Sequence, residues 1–354
     1  MSSTASASEN TQEMSTSTRS LLTRVRQIIP PLAEWMHKGQ QGRIAVIGGS
    51  EDYTGAPFFA CNAAALLGAD MAHVICEPLA AQVIKTYSPN LMVHPYMRAS
   101  NHTSSNDDVA SAQAKLDSLL ERVHSIVVGP GLGRDDLMLE TAGKAIEKAK
   151  SLGLGVVLDA DGLFLLQHKK ELLKGYRKAV ITPNKMEFMR LCKSFGVEMT
   201  SDQPSETQRD GGEDCKRLAQ ALDGVTVVQK GRVDWISNGK RTICCEMQGG
   251  LKRSGGQGDT LSGSLVTMLA WKRAYQEGLW KHDNKLEEEE LMFLTAYGAC
   301  AITRLCSRKA YEKKGRALQA SDLPLELPEA FKTLYEGELP EEDWLNQRDP
   351  KEQK

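Results

Sequence analysis

Ser125-Ile126-Val127-Val128-Gly129-Pro130-Gly131-Leu132-Gly133 is the stretch that decides the fold. Four small or β-branched residues make a short apolar run, which breaks into a glycine-rich loop before helical character resumes around Leu137–Ala149. An apolar run without polar alternation belongs to a strand buried on both faces, as in a parallel sheet. The same transition recurs on either side. Arg43-Ile44-Ala45-Val46-Ile47 runs into Gly48-Gly49-Ser50, and Pro57 opens a candidate helix rich in small residues. Met71–Ile75 supplies another strand and Leu91-Met92-Val93 a short further one. Gly155-Val156-Val157-Leu158 ends in Asp159-Ala160-Asp161, and Ala179-Val180-Ile181 ends in Thr182-Pro183-Asn184 before a helix around Glu187–Lys193.

Strands alternating with amphipathic helices predict an α/β fold: a mainly parallel sheet covered by helices on both faces. Ligands in such folds sit in the crevice outside the carboxyl ends of the strands. Beyond a helix over Glu213–Leu222 and a strand over Val225–Val228, the pattern changes. Asn238-Gly239 is a hairpin signal between Trp235-Ile236 and Arg241-Thr242-Ile243-Cys244, so an antiparallel edge is expected there. Leu261–Ala274 and Leu291–Cys306 read as packed helices. Ala99–Asp108 and Thr200–Gly212 read as surface loops, with helix resuming at Val109. No internal repeat is evident. The expected organisation is a weakly ordered Ser/Thr-rich segment over 1–20, one catalytic domain over 21–340, and a polar tail over 341–354.

Composition excludes several classes. The 44 basic and 46 acidic residues leave a formal charge of −2, without a basic patch for nucleic acid. No apolar run is long enough to cross a membrane. The eight cysteines are scattered without metal-ligand spacing, and the seven histidines specify no zinc centre, so a reducing compartment is expected. Cytoplasmic residence is the preferred expectation. Glu9 and Glu13 weigh against a mitochondrial leader, which remains the alternative.

The chemistry concentrates in Gly249-Gly250-Leu251-Lys252-Arg253-Ser254-Gly255-Gly256-Gln257-Gly258-Asp259-Thr260. A glycine-dense turn leads into a helix beginning near Asp259, where free backbone N–H groups suit a phosphate and the carboxylate suits a base. Lys230-Gly231-Arg232-Val233-Asp234 reads as a phosphate contact or as a charged turn before the hairpin. Asp159 and Asp161 either point to the same side and help to hold hydrated magnesium, or Asp161 caps the helix that follows. Glu187 is likewise a magnesium-mediated phosphate neighbour or a helix cap. The glycine spacings match neither a Walker A loop nor a dinucleotide fingerprint, and no hydrolase nucleophile elbow is visible.

Taken in order, Gly48-Gly49-Ser50 with Tyr53-Thr54-Gly55-Ala56-Pro57, Gly129–Arg134, Thr182-Pro183-Asn184-Lys185-Met186-Glu187-Phe188 and Gly249–Asp259 resemble the ATP-dependent NAD(P)H-hydrate dehydratase family of the ribokinase-like superfamily. The resemblance extends from Lys38 to Asp322. It implies a three-layer α/β/α sandwich and ATP-driven dehydration of (6S)-hydrated NADH or NADPH, with Asp259 as the catalytic base. It further implies hydrate contacts at Gly131, Gly133, Asn184, Lys185, Met186, Glu187, Phe188, Met189, Arg190 and Asp259, with Tyr53 as a neighbour. ATP contacts are implied at Lys230, Gly231, Arg232, Val233, Asp234 and at Gly249, Gly250, Leu251, Lys252, Arg253, Ser254, Gly255, Gly256, Gln257 and Gly258. Ser254 departs from the family's usual cysteine. Magnesium is implied with ATP, potassium has no sequence signature, and a separate epimerase is the expected functional partner. The competing readings are a small-molecule kinase that releases a stable phosphorylated product, and a nucleotide-binding protein without turnover.

Overall fold

The computed structural model describes residues 17–103, 105–200, 211–282 and 286–340. The leader up to residue 16, most of the expected loop over 200–212, and the tail over 341–354 lie outside them. In chain order the elements are α1 (Thr18–Val25), β1 (Arg43–Ile47), α2 (Gly55–Leu67), β2 (Met71–Ile75), α3 (Pro78–Tyr87), β3 (Met92–His94), α4 (Asn106–Leu120), β4 (Ser125–Val128), α5 (Asp136–Ser151), β5 (Gly155–Leu158) and α6 (Asp161–His168). There follow β6 (Ala179–Ile181), α7 (Lys185–Phe195), α8 (Gly211–Ala221), β7 (Thr226–Gln229), β8 (Asp234–Ser237), β9 (Thr242–Cys245), α9 (Gln257–Gln276), α10 (Glu288–Lys314), α11 (Asp322–Leu325) and α12 (Leu327–Tyr335).

The strands form one sheet in the order β3-β2-β1-β4-β5-β6-β7-β8-β9. All pairings from β3 to β7 are parallel, and β7-β8 and β8-β9 are antiparallel. The hairpin expected at Asn238-Gly239 is therefore the sheet edge; Asn238 Oδ1 accepts from the N–H groups of Lys240 and Arg241, and Gly239 takes a φ of 86°.

Side chains alternate between two cores, as the pleat requires. Val46, Val127, Val157 and Val180 face a layer that includes α1, α2, α9, α10 and α12. Ile47, Val128, Leu158 and Ile181 face a layer that includes α4 to α8. The result is a three-layer α/β/α sandwich. Strand order reverses between β1 and β4, and the crevice at that reversal is the expected ligand site. Two glycines serve that point by lacking a side chain. A Cβ on Gly48 would lie 2.1 Å from the Pro130 carbonyl oxygen, and one on Gly129 would lie 1.9 Å from that of Asp159.

Several boundaries move. Helix α9 starts at Gln257, two residues before the expected point, because Gly256 reaches a φ of 87° and turns the chain into the helix. Helix α2 starts at Gly55, so Pro57 sits within its first turn. Helix α4 starts at Asn106, where Ser105 accepts from the Asp108 N–H, within the interval expected to be a loop. Helix α1 starts at Thr18 and buries Leu21, Leu22 and Val25 completely.

Helices α2 and α9 lie side by side and run in the same sense. Ala60 meets Gly263, the Thr267 hydroxyl donates to the Ala64 carbonyl at 3.4 Å, and Gly68 meets the Trp271 ring. Both amino ends consequently face the carboxyl ends of the strands. A Cβ on Gly263 would fall 2.1 Å from the Ala60 carbonyl oxygen. Gly263→Ala is expected to cost about 1–3 kcal/mol by overpacking, read by chemical denaturation, whereas Gly255→Ala, with nothing within 4 Å of its added methyl, changes stability by about 0.5 kcal/mol at most.

Candidate active site

Four strand ends and one helix start converge on a single cleft. β4 delivers Gly129–Gly133, β5 delivers Asp159, β6 delivers Thr182–Asn184, and β7 delivers Lys230, whose N–H donates to the Pro183 carbonyl at 2.9 Å. Opposite them, α9 opens with Gly256, Gln257 and Gly258. Their N–H groups donate to no acceptor among the described residues. Such groups at the start of a 20-residue helix form a cradle for negative charge.

Asp259 stands in the first turn of α9, 6% exposed, and its Oδ2 is buried without a hydrogen-bond partner. Burial and then the neighbouring Asp159 charge push its pKa well above the ordinary carboxylate range, against the pull of Lys230. Asp159 itself is fully engaged. Its Oδ1 accepts from Lys230 Nζ at 2.8 Å and from the Ala160 N–H at 2.9 Å, and its Oδ2 accepts from the Ser262 hydroxyl at 2.6 Å. Burial opposes the charge of Lys230, but Asp159, Glu187 and Asp259 together raise its pKa. Gly258 packs against this pair: a Cβ there would lie 3.2 Å from Lys230 Nζ and 3.5 Å from Asp159 Oδ2.

The two aspartates do not form the joint site considered from sequence. The strand ends at Leu158 and Ala160 takes a φ of 48°, which sends the two side chains apart. Asp161 accepts from the Gly133 N–H at 3.0 Å and pairs with Arg134 at 3.5 Å, while the cap position of α6 belongs to Ala160. Glu187 follows the capping alternative. It accepts from the Asn184 N–H at 2.8 Å while Asn184 Oδ1 accepts from the N–H groups of Met186 and Glu187, a reciprocal capping box. The Phe188 side chain is fully buried in the core beneath α7, so only its backbone is left to face the cleft. Lys185 and Met186 remain exposed, and Met189 and Arg190 lie on the same short helix.

The Asp234 carboxylate is buried and receives both Nε and Nη2 of Arg304, at 2.6 and 2.7 Å. The same guanidinium donates to the carbonyls of Gly231, Arg232 and Met247 at 3.0, 2.8 and 3.1 Å. One side chain of α10 thereby ties the Lys230–Asp234 loop to the start of the glycine-rich segment. Between them lies a hollow of about 60 Å³ bordered by Arg232, Val233, Gly249, Gly250 and Leu251. Lys252 and Ser254 lie at the other end of that segment, where Gln257 Nε2 donates to the Lys252 carbonyl and the Ser254 hydroxyl. Arg253 donates to the Gly250 carbonyl at 2.9 Å.

Sequence reasoning missed Arg304, Ser262 and the anchoring role of Asp159. An arginine inside the apolar Leu291–Cys306 run was a usable signal, since a charge there needs a buried partner. Tyr53 is exposed beside Gly131, with its carbonyl oxygen 2.8 Å from where a Gly131 Cβ would stand. No group of three or more His, Cys, Asp or Glu side chains among the described residues is arranged to hold a metal ion.

A family profile described as NAD(P)H-hydrate dehydratase matches residues 44–329. The chain is 53% identical to the ATP-dependent (S)-NAD(P)H-hydrate dehydratase of Neurospora crassa, over 94% of this chain and 98% of that one. Among solved structures, a ribokinase-like superfamily protein from Enterococcus faecalis is similar with a TM-score of 0.66 at 20% identity, covering 89% of this chain and 95% of that one. The Bacillus subtilis ADP/ATP-dependent NAD(P)H-hydrate dehydratase, co-crystallised with ATP and Mg2+, is similar with a TM-score of 0.61 at 21% identity, covering 88% and 96%.

Two measurements test this electrostatic description. Arg304→Ala leaves Asp234 charged and unpaired, and is expected to lose about 3–5 kcal/mol in denaturant unfolding. Asp259 binds its proton more tightly folded than unfolded, so its contribution favours folding below the ordinary carboxylate pKa. That contribution is lost as pH rises through the elevated folded pKa. Asp259→Asn is therefore expected to melt higher than the parent protein at about pH 8, with the difference shrinking toward about pH 4. A pH-independent difference would count against this reading.

Proposed function

This chain belongs to the NAD(P)H-hydrate dehydratase family, and we propose that it dehydrates (6S)-hydrated NADH and NADPH, consuming ATP and releasing ADP and phosphate. The observation that carries this reading is the unpartnered Asp259 Oδ2 beside a row of free backbone N–H groups. A base and an anion cradle within the same helical turn suit phosphoryl transfer, which depends on positioning and charge stabilisation.

In this reading Asp259 takes the proton of the hydroxyl on the damaged ring as that oxygen attacks the γ-phosphorus. The N–H groups of Gly256, Gln257 and Gly258 carry the charge growing on the transferring group. Phosphorylation converts a poor leaving group into a good one. The ring nitrogen lone pair then expels phosphate from C6, and loss of a proton from C5 restores the reduced ring. Burial and the Asp159 charge raise the pKa of Asp259, which makes its ionised form a stronger proton acceptor than a free carboxylate. Lys230 and Ser262 hold Asp159 in place, which fixes the charge beside Asp259.

We assign ATP to Lys230–Asp234 and Gly249–Gly258, with the Asp234 carboxylate acting through Arg304 rather than on the nucleotide. The hydrate is assigned to Gly131, Gly133, the exposed face of Asn184–Arg190 and Asp259, with Phe188 contributing backbone alone. Magnesium fits as a partner of the ATP phosphates. It keeps several waters, and Asp159 and Glu187, already engaged by Lys230, Ser262 and the Asn184 N–H, would meet it through those waters. When bound it would neutralise phosphate charge. Potassium as an accessory ion, a cytoplasmic setting and cooperation with a separate epimerase complete this reading. Among the described residues no helix is long and apolar enough to cross a membrane.

The test is product-resolved turnover on stereochemically defined hydrates. Regeneration of NADH with release of ADP and phosphate is expected. Accumulation of a stable phosphorylated hydrate would reject the dehydratase in favour of a kinase. Asp259→Asn is expected to lower kcat by about 10²–10⁴-fold while retaining nucleotide affinity, and unchanged turnover would remove Asp259 from the mechanism.

A further inference from the structure

Helix α2 carries two adjacent phenylalanines with different fates. Phe58 packs onto the core on the α2–α9 side of the sheet and meets Tyr87 edge-on at 5.1 Å. Phe59, half-buried, joins neither of the two buried clusters. Its ring faces the amino end of the neighbouring helix instead. Around the point where a Cβ on Gly256 would stand, the Ala320 methyl lies at 2.6 Å, Asp259 Oδ2 at 3.5 Å and Cδ2 of Phe59 at 3.6 Å. The adjacent Cε2 lies 3.3 Å from the corresponding point on Gly55. The Phe59 ring, the Ala320 methyl and the unpartnered carboxylate oxygen thus meet around a glycine where any side chain would intrude.

We propose that Phe59 is a substrate-contacting residue, forming the dry aromatic wall beside the cation that arises when phosphate leaves the ring. This rests on the dehydratase reading above. Departure of phosphate takes both electrons of the C6–O bond, and the N1 lone pair closes an N1–C6 iminium. Two fates then compete. Loss of the C5 proton sends its electron pair into a C5–C6 double bond and returns the lone pair to N1, giving the reduced nucleotide. Addition of water to C6, with loss of its proton to solvent, returns the electrons to N1 and regenerates the hydrate, so that ATP has been hydrolysed without repair. An apolar ring against the iminium favours the first fate by denying C6 the water that the second fate needs, since a closed site protects a reactive intermediate from hydrolysis.

The experiment measures ADP formed per NADH regenerated by wild-type protein, Phe59→Leu and Phe59→Ala, in ¹⁸O-labelled water and with an enzyme-free control. Wild type is expected to give about one ADP per NADH and residual hydrate labelled no more than the control. Phe59→Ala is expected to give about two or more ADP per NADH, with ¹⁸O entering the residual hydrate, because the dry wall is gone. Phe59→Leu retains an apolar but narrower wall and falls between them; it also serves if the alanine variant does not fold. Folded variants with wild-type stoichiometry and no excess label would overturn the role of Phe59 while leaving the dehydratase standing. Wild-type protein that regenerates no NADH at all would remove the dehydratase reading itself.

Discussion

The contact between the Gly263 backbone and the Ala60 carbonyl is the constraint on which the cleft depends. Only a glycine allows two helices to approach so closely there, and the successive contacts Ala60–Gly263, Ala64–Thr267 and Gly68–Trp271 run parallel along α2 and α9. Parallel alignment brings both amino ends to the side of the sheet where the parallel strands terminate. The free N–H groups of α9, the loop leading into α2 and the polar strand ends therefore share one space. An antiparallel crossing would have set a helix carboxyl end, with its opposite dipole, in the place of one of these.

Within that space the charges are arranged as a ladder rather than as a cluster. Asp159 is satisfied on both oxygens by Lys230, Ser262 and a backbone N–H. Asp259, one step further out, has an oxygen left over. Two carboxylates in similar burial thus differ in chemical availability, because one has been supplied with donors and the other has not. Lys230 is drawn toward the satisfied member, which leaves its positive charge near the cradle without placing a donor on the reactive oxygen.

Much of this was legible in the chain because it is written locally. Apolar runs ending in glycine or aspartate located β1, β4 and β5, and one ending in Thr182-Pro183-Asn184 located β6. Asn238-Gly239 located the edge hairpin, and Gly249–Asp259 located the anion cradle beside a carboxylate. What was not legible depends on pairings between distant segments. Lys230 meets Asp159 across 71 residues, and Arg304 meets Asp234 across 70. Local spacing held two alternatives open for Glu187, which the folded geometry settles as capping, and two for Asp161, which instead accepts from the Gly133 N–H and pairs with Arg134. Phe188 shows the converse: a residue within a recognisable motif can belong to the core, because helical periodicity turns one of every few side chains inward.

The guanidinium of Arg304 spans backbone carbonyls from two separate connections, one leaving β7 and one leaving β9. Those two connections are consequently fixed in length relative to each other, because a residue added to either would pull a carbonyl out of register with a rigid planar fork. The hairpin tip at Asn238-Gly239, at the far end of the same strands, carries no such tether to Arg304. Variation in length among proteins built on this plan should therefore collect at the distal tip, leaving the proximal connections as the conserved measure of the domain.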